Sequence, residues 1–523
     1  MRHIISVYFI MILSCCLLAG CKKAEPADAL VSENTVPRTL TLAVAEWGGA
    51  GADGVLLGTI QGSQRLVVDP LFYRDPDGNL TPNMAKSYSI TEDGRTVTVE
   101  LADDLRFYDG SPVTPIDVKR SLEWIKGQGS FSGDFNAVRS VKTDGNNVIF
   151  HLSRPSPKFL YNLGDSFFPV IKSEDIDSKS PEEILWGGTV YGAYYVNEYF
   201  SGSCATLKKN PYYKTYNRHL KNKGPSSIDT INVRFISDPF ALVQGMLSGE
   251  IALTDRVTPN QLYELLMSPN IETKWAAEPN VVQLLLNNDF ELFKDPDVRL
   301  ALMLLIDRTK ISAYSKGQYS PAYAFSVSGM SDYSSDAENY FTSNFCNQPE
   351  VALQLLSEKG WKDSDGDGYL DRNGKKFEFT VVFEDKNLNS LVEILQSEYK
   401  KNGIQMNIHS IDLATMSDLL KKDTYEAALN EFNWGDTAGI LPYICPDVNI
   451  LDSEVYNMMV EDAINTMDKN TRITGFYEVQ KMLMDTRCNF PVVRINNLIV
   501  YNKMLLPHLV ISNESDIFIN DSN

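Results

Sequence analysis

The chain has 523 residues, of which 43% are hydrophobic and 11% aromatic, and its formal net charge is −20. That length exceeds one ordinary core and that composition excludes disorder, so two or three folded domains are expected. The acidic balance, with no basic patch and interleaved aromatics to offset it, excludes nucleic acid as a partner.

The opening "MRHIISVYFIMILSCCLLAGC" joins Arg2 to an apolar run from Ile4 to Leu18 and the small residues Ala19 and Gly20 before Cys21. This pattern predicts a lipoprotein signal over 1–20, with cleavage before Cys21 and lipidation of that residue. The run is shorter than the roughly 20 residues a spanning helix wants. Loss of the leader, which carries Arg2 and no acid, changes the charge from −20 to −21. Residues 21–38 are polar, contain two prolines and read as a flexible tether. The protein is therefore expected to be exported and lipid-anchored at the cell envelope, in a periplasmic space or on the outer face of a membrane.

After the tether, "TLTLAVAE" reads as a strand, and "WGGAGADGVLLG" follows it. Gly49, Gly51 and Gly54 match the G-x-G-x-x-G of a dinucleotide turn, with Asp69 near the place of a ribose-binding acid. The helix available after them is short and interrupted by Gly58 and Gly62, too little for a Rossmann crossover. The glycines read instead as a loop.

Further along, "TVTVELAD", "NNVIFHLSR" and "DTINVRFIS" alternate as strands do. Thr114 and Pro115 open a helix with Val118, Leu122 and Ile125 on one face. "KDPDVRLALMLLIDRTKI" reads as one helix that starts at Asp295 and Pro296 and carries Arg308 and Lys310 toward its end. "QPEVALQLLSEKGW" stops at Gly360. Such mixtures of strands and helices argue α/β or α+β lobes.

Catalytic signatures fail. The mature histidines His151, His219, His409 and His508 are scattered, there is no H-E-x-x-H, and "GDSFF" lacks the closing glycine of a nucleophile elbow. No phosphate-binding P-loop is present, so no enzyme and no cofactor are expected. Cys204, Cys346, Cys445 and Cys488 are left after the leader and Cys21, and four cysteines allow three pairings. In "DSDGDGYLDRNG", Asp363, Asp365, Asp367 and Asp371 hold positions 1, 3, 5 and 9 of a calcium loop. Gly374 stands at position 12, where the bidentate Glu belongs, so the loop would be a weak calcium site or simply a turn.

Several stretches carry a resemblance. "NMAKSYSITEDGRTVTVELADDLRFYDGSPVTPIDVKRSLEWI" closely resembles the signature region of the peptide/nickel-type extracellular solute-binding proteins, receptor subunits of ABC importers. "GAYYVNEY", "LKKNPYYK", "INVRFISDPFALVQGMLSGEI", "LLLNNDFELFKDPDVRLALMLLIDRTKI", "ALQLLSEKGWKDSDGDG" and "SEYKKNGIQMNI" follow in that family's order. The resemblance implies a two-lobed, periplasmic-binding-protein-like α/β fold (cluster C, type II) with an extra inserted domain. By it, lobe I takes 39–72, 194–280 and 491–523, the inserted domain 73–193, and lobe II 281–490. The ligand would lie between the lobes, and hinge closure would present a changed surface to a permease with cytoplasmic ATPases.

The same resemblance implies a ligand site. Peptide-binding members anchor the ligand's amino terminus with an aspartate after a tryptophan, which "FNWGDTAGILPYI" matches with Trp434 and Asp436. Asn287, Asn288, Trp47 and Tyr443 are further candidates for the cleft. Two departures stand out: "LFYRD" carries Arg74 where the family has an acid nearby, and "TAGILPYICPD" replaces the usual text after the aspartate. The expected function is capture of short peptides by a monomeric receptor. The alternatives are a nickel complex or haem as the solute, or a secreted peptidase or surface adhesin reusing the fold.

Overall fold

In the strand Thr96–Leu101, Val97, Val99 and Leu101 are buried while their neighbours are half-exposed, because successive strand side chains face opposite sides. It pairs antiparallel with Ala85–Ile90 across the Asp93-Gly94 turn. There the Gly94 N–H donates to the Thr91 carbonyl at 2.8 Å, and the Asp93 carboxylate accepts from the Thr91 hydroxyl at 2.6 Å. Asn147–Leu152 and Val138–Asp144 complete a four-stranded sheet. The helix Pro115–Lys126 lays Val118, Leu122 and Ile125 into the same core. At its start the Asp117 carboxylate accepts from both the N–H and the hydroxyl of Thr114, at 2.7 Å each.

This is a computed structural model, and it describes residues 38–44, 64–75, 79–127, 135–164, 168–200, 202–258, 261–384, 388–433, 435–444, 453–511 and 517–519. The signal, Cys21, the tether up to Pro37 and the glycine loop with Trp47 lie outside the described residues. Among the described residues no helix is long and apolar enough to cross a membrane. Cys204 is disulfide-bonded while Cys346 and Cys488 are free thiols, so Cys204 pairs with neither of them.

The main sheet is continuous from Gln405–Ile411 at one edge to Tyr194–Phe200 at the other, and its lobes share the strand Asn489–Asn502. The first half of that strand pairs with Asn280–Leu286, and Asn496 to Asn502 pair with Ile271–Ala277. The change of partners, at Arg494 to Asn496, is the crossing between lobes. In lobe I, Thr39–Val44 runs parallel to Thr230–Phe235 and to Leu253–Thr254, with apolar cores on both faces. In lobe II, Glu378–Glu384 runs parallel to Gln405–Ile411 and to Ala427–Asn433, over the largest core.

One helix expected from the sequence is two. Pro296–Leu304 stops, and Asp307 caps a second helix, Arg308–Tyr314, by accepting from the Lys310 N–H at 3.0 Å. Arg308 therefore does not sit at a helix end facing water. It is buried, and its Nε donates to the carbonyls of Pro491 (3.0 Å) and Ala322 (3.1 Å).

Candidate functional site

Asn433 pairs with Asn280 at the crossing end of lobe II, so the residues that follow it, Gly435 and Asp436, emerge beside the hinge. Their backbone is zipped to Ser331: the Ser331 N–H donates to the Gly435 carbonyl at 2.9 Å, and the Thr437 N–H and hydroxyl donate back to the Ser331 carbonyl at 3.0 and 2.9 Å. Asp436 is nine-tenths buried, and one carboxylate oxygen accepts the Gly439 N–H, capping the helix Thr437–Ile444.

The inserted domain meets this corner through Arg74, whose Nη1 donates to the Ser331 hydroxyl at 3.3 Å and to the Gly435 carbonyl at 3.4 Å. Gly435 makes room for it, since a Cβ there would lie 3.0 Å from Arg74 Nη2. On the next residue of the same loop, Asp332 and Arg472 form a buried ion pair, Nε to Oδ2 2.7 Å and Nη2 to Oδ1 3.0 Å. Tyr161 of the inserted domain donates its hydroxyl to Asp332 Oδ1 at 2.6 Å and accepts from Arg472 Nη2. Burial, and then the Asp332 charge, push the Tyr161 hydroxyl far above the ordinary phenol range, so it stays protonated.

The hinge itself is acidic. Burial first, then the charges of Glu431 and Asp255, push the Glu278 carboxyl up to about 7. Burial alone pushes Asp255 up to about 6, and its Oδ1 is buried without a hydrogen-bond partner among the described residues. Arg494 donates through Nη2 to the Glu278 carbonyl at 2.7 Å, a structural use of its charge. The Asn280 side chain pins the crossing, giving to the Ile495 carbonyl at 2.9 Å and accepting from its N–H at 2.7 Å.

Not every residue singled out in the sequence comes to this corner. Asn287 lies past the opposite end of Asn280–Leu286, roughly 20 Å along the strand from the hinge. Its amide is spent on the carbonyls of Asp423 and Tyr425, both at 2.8 Å, and Asn288 shares that turn. Asn287 clasps this lobe II turn, and neither asparagine is gathered with Asp436. Trp434 and Trp47 lie outside the described residues. Tyr443 is in the helix Thr437–Ile444, with its side chain outside the description. Sequence reading marked Arg74 only as a departure, and it missed Tyr161, Ser331, Asp332, Glu278 and Arg472. Their partners are 140 or more positions distant in several cases, which no local pattern signals.

In the acidic loop, oxygens of Asp363, Asp365 and Asp371 lie within 4.8 Å of one another. The same carboxylates accept loop N–H groups, as at Gly366 (2.8 Å) and Ser364 (2.8 Å). Lys376 is paired with Asp367.

The oligopeptide-binding protein AppA of Bacillus subtilis is 25% identical over 378 residues, covering 68% of this chain and 66% of AppA. A probable ABC transporter-binding protein of Deinococcus radiodurans is 25% identical over 399 residues, covering 68% and 65%. The chain thus spans about two thirds of the length of these relatives, slightly less for each. Among solved structures, NikA from Brucella suis in complex with Fe(III)-EDTA superposes with a TM-score of 0.75 at 18% identity, over 92% of this chain and 99% of that one. Bacillus subtilis AppA in complex with a nonapeptide gives 0.64 at 20% identity, over 92% and 98%. These likenesses show the two-lobed type II binding-protein fold with mixed α/β sheets. Residues 79–443 match the bacterial extracellular solute-binding proteins, family 5, and the chain belongs to that family.

Proposed function

We propose that this protein is the substrate-binding component of an ABC importer that captures short peptides between its lobes and delivers them to a membrane permease served by cytoplasmic ATPases. The observation that carries the reading is the placement of Asp436: a nine-tenths buried carboxylate at the hinge end of lobe II, one oxygen fixed by the Gly439 N–H. A buried carboxylate fixed in this way suits a peptide ammonium, because a charge-assisted hydrogen bond is strong where water is excluded. The AppA structure with its nonapeptide supports the same ligand class. Capture and release require no bond chemistry, so the protein is not an enzyme. It works as a monomer, held at the envelope through a lipidated Cys21.

The neighbouring NikA structure favours a second reading, a metal chelate in the same cleft. One experiment separates the two. The purified protein is stripped of co-purified ligand, then titrated by calorimetry with a tri- to pentapeptide pool and, separately, with nickel in the presence of histidine. Heat and retained peptides in the first titration support the peptide reading. Heat in the second alone transfers the site to a chelate.

A further inference from the structure

Lobe I carries an apolar stripe on its outside. The helix Pro239–Ser248 buries Leu242, Val243 and Met246 against the lobe, while Phe240 and Leu247 point outward, seven residues apart and so on one face. The next helix, Leu262–Leu266, buries Leu265 and turns Tyr263, Leu266 and Met267 out. Phe240 is 71% exposed, Tyr263 77%, Leu266 53% and Met267 71%. Gln244, midway along the outer face of the first helix, donates to Glu264 of the second at 3.1 Å, which sets the two stripes side by side. Large side chains clustered on a surface in this way mark an interaction site.

The topology says which end of the lobe they occupy. Leu253 and Thr254 oppose Tyr501 and Val500, so the strand before the second helix runs toward the lobe crossing, and Thr230–Phe235, before the first, runs the same way. The helix Pro239–Ser248 therefore starts at the cleft end of the lobe, and Phe240, in its first turn, lies toward the junction with lobe II, while the Gln244–Glu264 contact sets Tyr263 beside the middle of that helix. Hinge closure moves that rim relative to lobe II, so a partner seated on it senses the bound state. Asp238 and Glu264 border the stripe. A chain of net charge −20 repels a second copy of itself and an anionic lipid surface alike.

We infer that this stripe is the surface on which the importer's membrane permease docks, through an apolar patch with a basic rim. The inference rests on the importer reading proposed above. Its test uses the full-length protein with its permease–ATPase complex in proteoliposomes, and compares the wild type with Phe240→Asp/Tyr263→Asp/Met267→Asp and with the milder Phe240→Ala/Tyr263→Ala. Stimulation of ATP hydrolysis should fall at least about tenfold in the aspartate variant and by less in the alanine variant. Retention of the tri- to pentapeptide pool and the melting temperature should hold. Unchanged stimulation overturns the inference. So does a wild-type dimer in solution, or binding to protein-free vesicles, that the aspartate variant loses. If the wild type binds no peptide yet its stimulation still depends on the stripe, the docking surface stands and the peptide reading fails.

Discussion

Tyr161 of the inserted domain donates a hydrogen bond from its hydroxyl to Asp332 of lobe II at 2.6 Å, and Arg472 closes the triangle from the same lobe. Asp332 is fully buried and Arg472 nearly so, so each charge depends on the other. Tyr161→Phe removes one donor from a buried carboxylate and should cost about 1–3 kcal/mol. Arg472→Met leaves that carboxylate without its counter-ion and should cost about 3–5 kcal/mol. Thermal melts of the two variants and their double check the ordering. A double variant that costs no more than Arg472→Met alone would show that the tyrosine acts through the pair.

A pH dependence follows from the hinge carboxyls. Glu278 titrates at about 7 in the fold against 4.5 for a free side chain, so between those values the native state holds a proton that the unfolded chain has lost. Stability therefore falls as pH rises from about 4.5 to about 7, by a total of about 3 kcal/mol for this group. Asp255 acts in the same direction between 3.8 and about 6. Glu278→Gln should melt higher than the wild type at pH 8, with the gain shrinking toward pH 5. A gain that grows toward acid would contradict the assignment.

Gly317 tests the packing at the lobe crossing. It sits at φ +97°, where only glycine is comfortable, and a Cβ there would meet the Trp275 indole of lobe I at 2.8 Å. Its carbonyl also accepts from Asn496 at 2.7 Å. Gly317→Ala should lower stability by about 1–3 kcal/mol, read from the melting temperature. Trp275→Ala in the same background should relieve the clash but not the backbone strain.

Calcium at the Asp363 loop should bind no tighter than millimolar. Position 12 is a glycine, and Lys376 already neutralises Asp367. Calorimetric titration checks this, and a Kd in the micromolar range would show that the lysine gives way to the ion.

Much of the fold was legible because its signals are local. The alternation in Thr96–Leu101 and the helix start at Thr114 each need only a few neighbouring residues, and both appear in the structure. The single helix expected through Arg308 failed because helical periodicity continued across Asp307, whose side chain instead starts a new turn. The site was less legible. Asp436 stands out in its short motif, but Arg74 and Tyr161 reach lobe II across 257 and 171 positions to Ser331 and Asp332. Asn287 reads as a ligand contact in the sequence, and in the structure its side-chain amide donates to the Asp423 and Tyr425 carbonyls. Only the strand direction, fixed by pairing over the whole sheet, tells which end of Asn280–Leu286 faces the cleft.

The decisive measurement compares one short peptide with a free amino terminus against the same peptide N-acetylated, titrated calorimetrically into wild type and Asp436→Asn. The wild type should lose about 1.5–3 kcal/mol of affinity on acetylation. The Asp436→Asn variant should start weaker by a similar amount and lose little more. Equal affinity for both peptides, or an unaltered affinity in Asp436→Asn, would contradict capture of a peptide ammonium by this carboxylate.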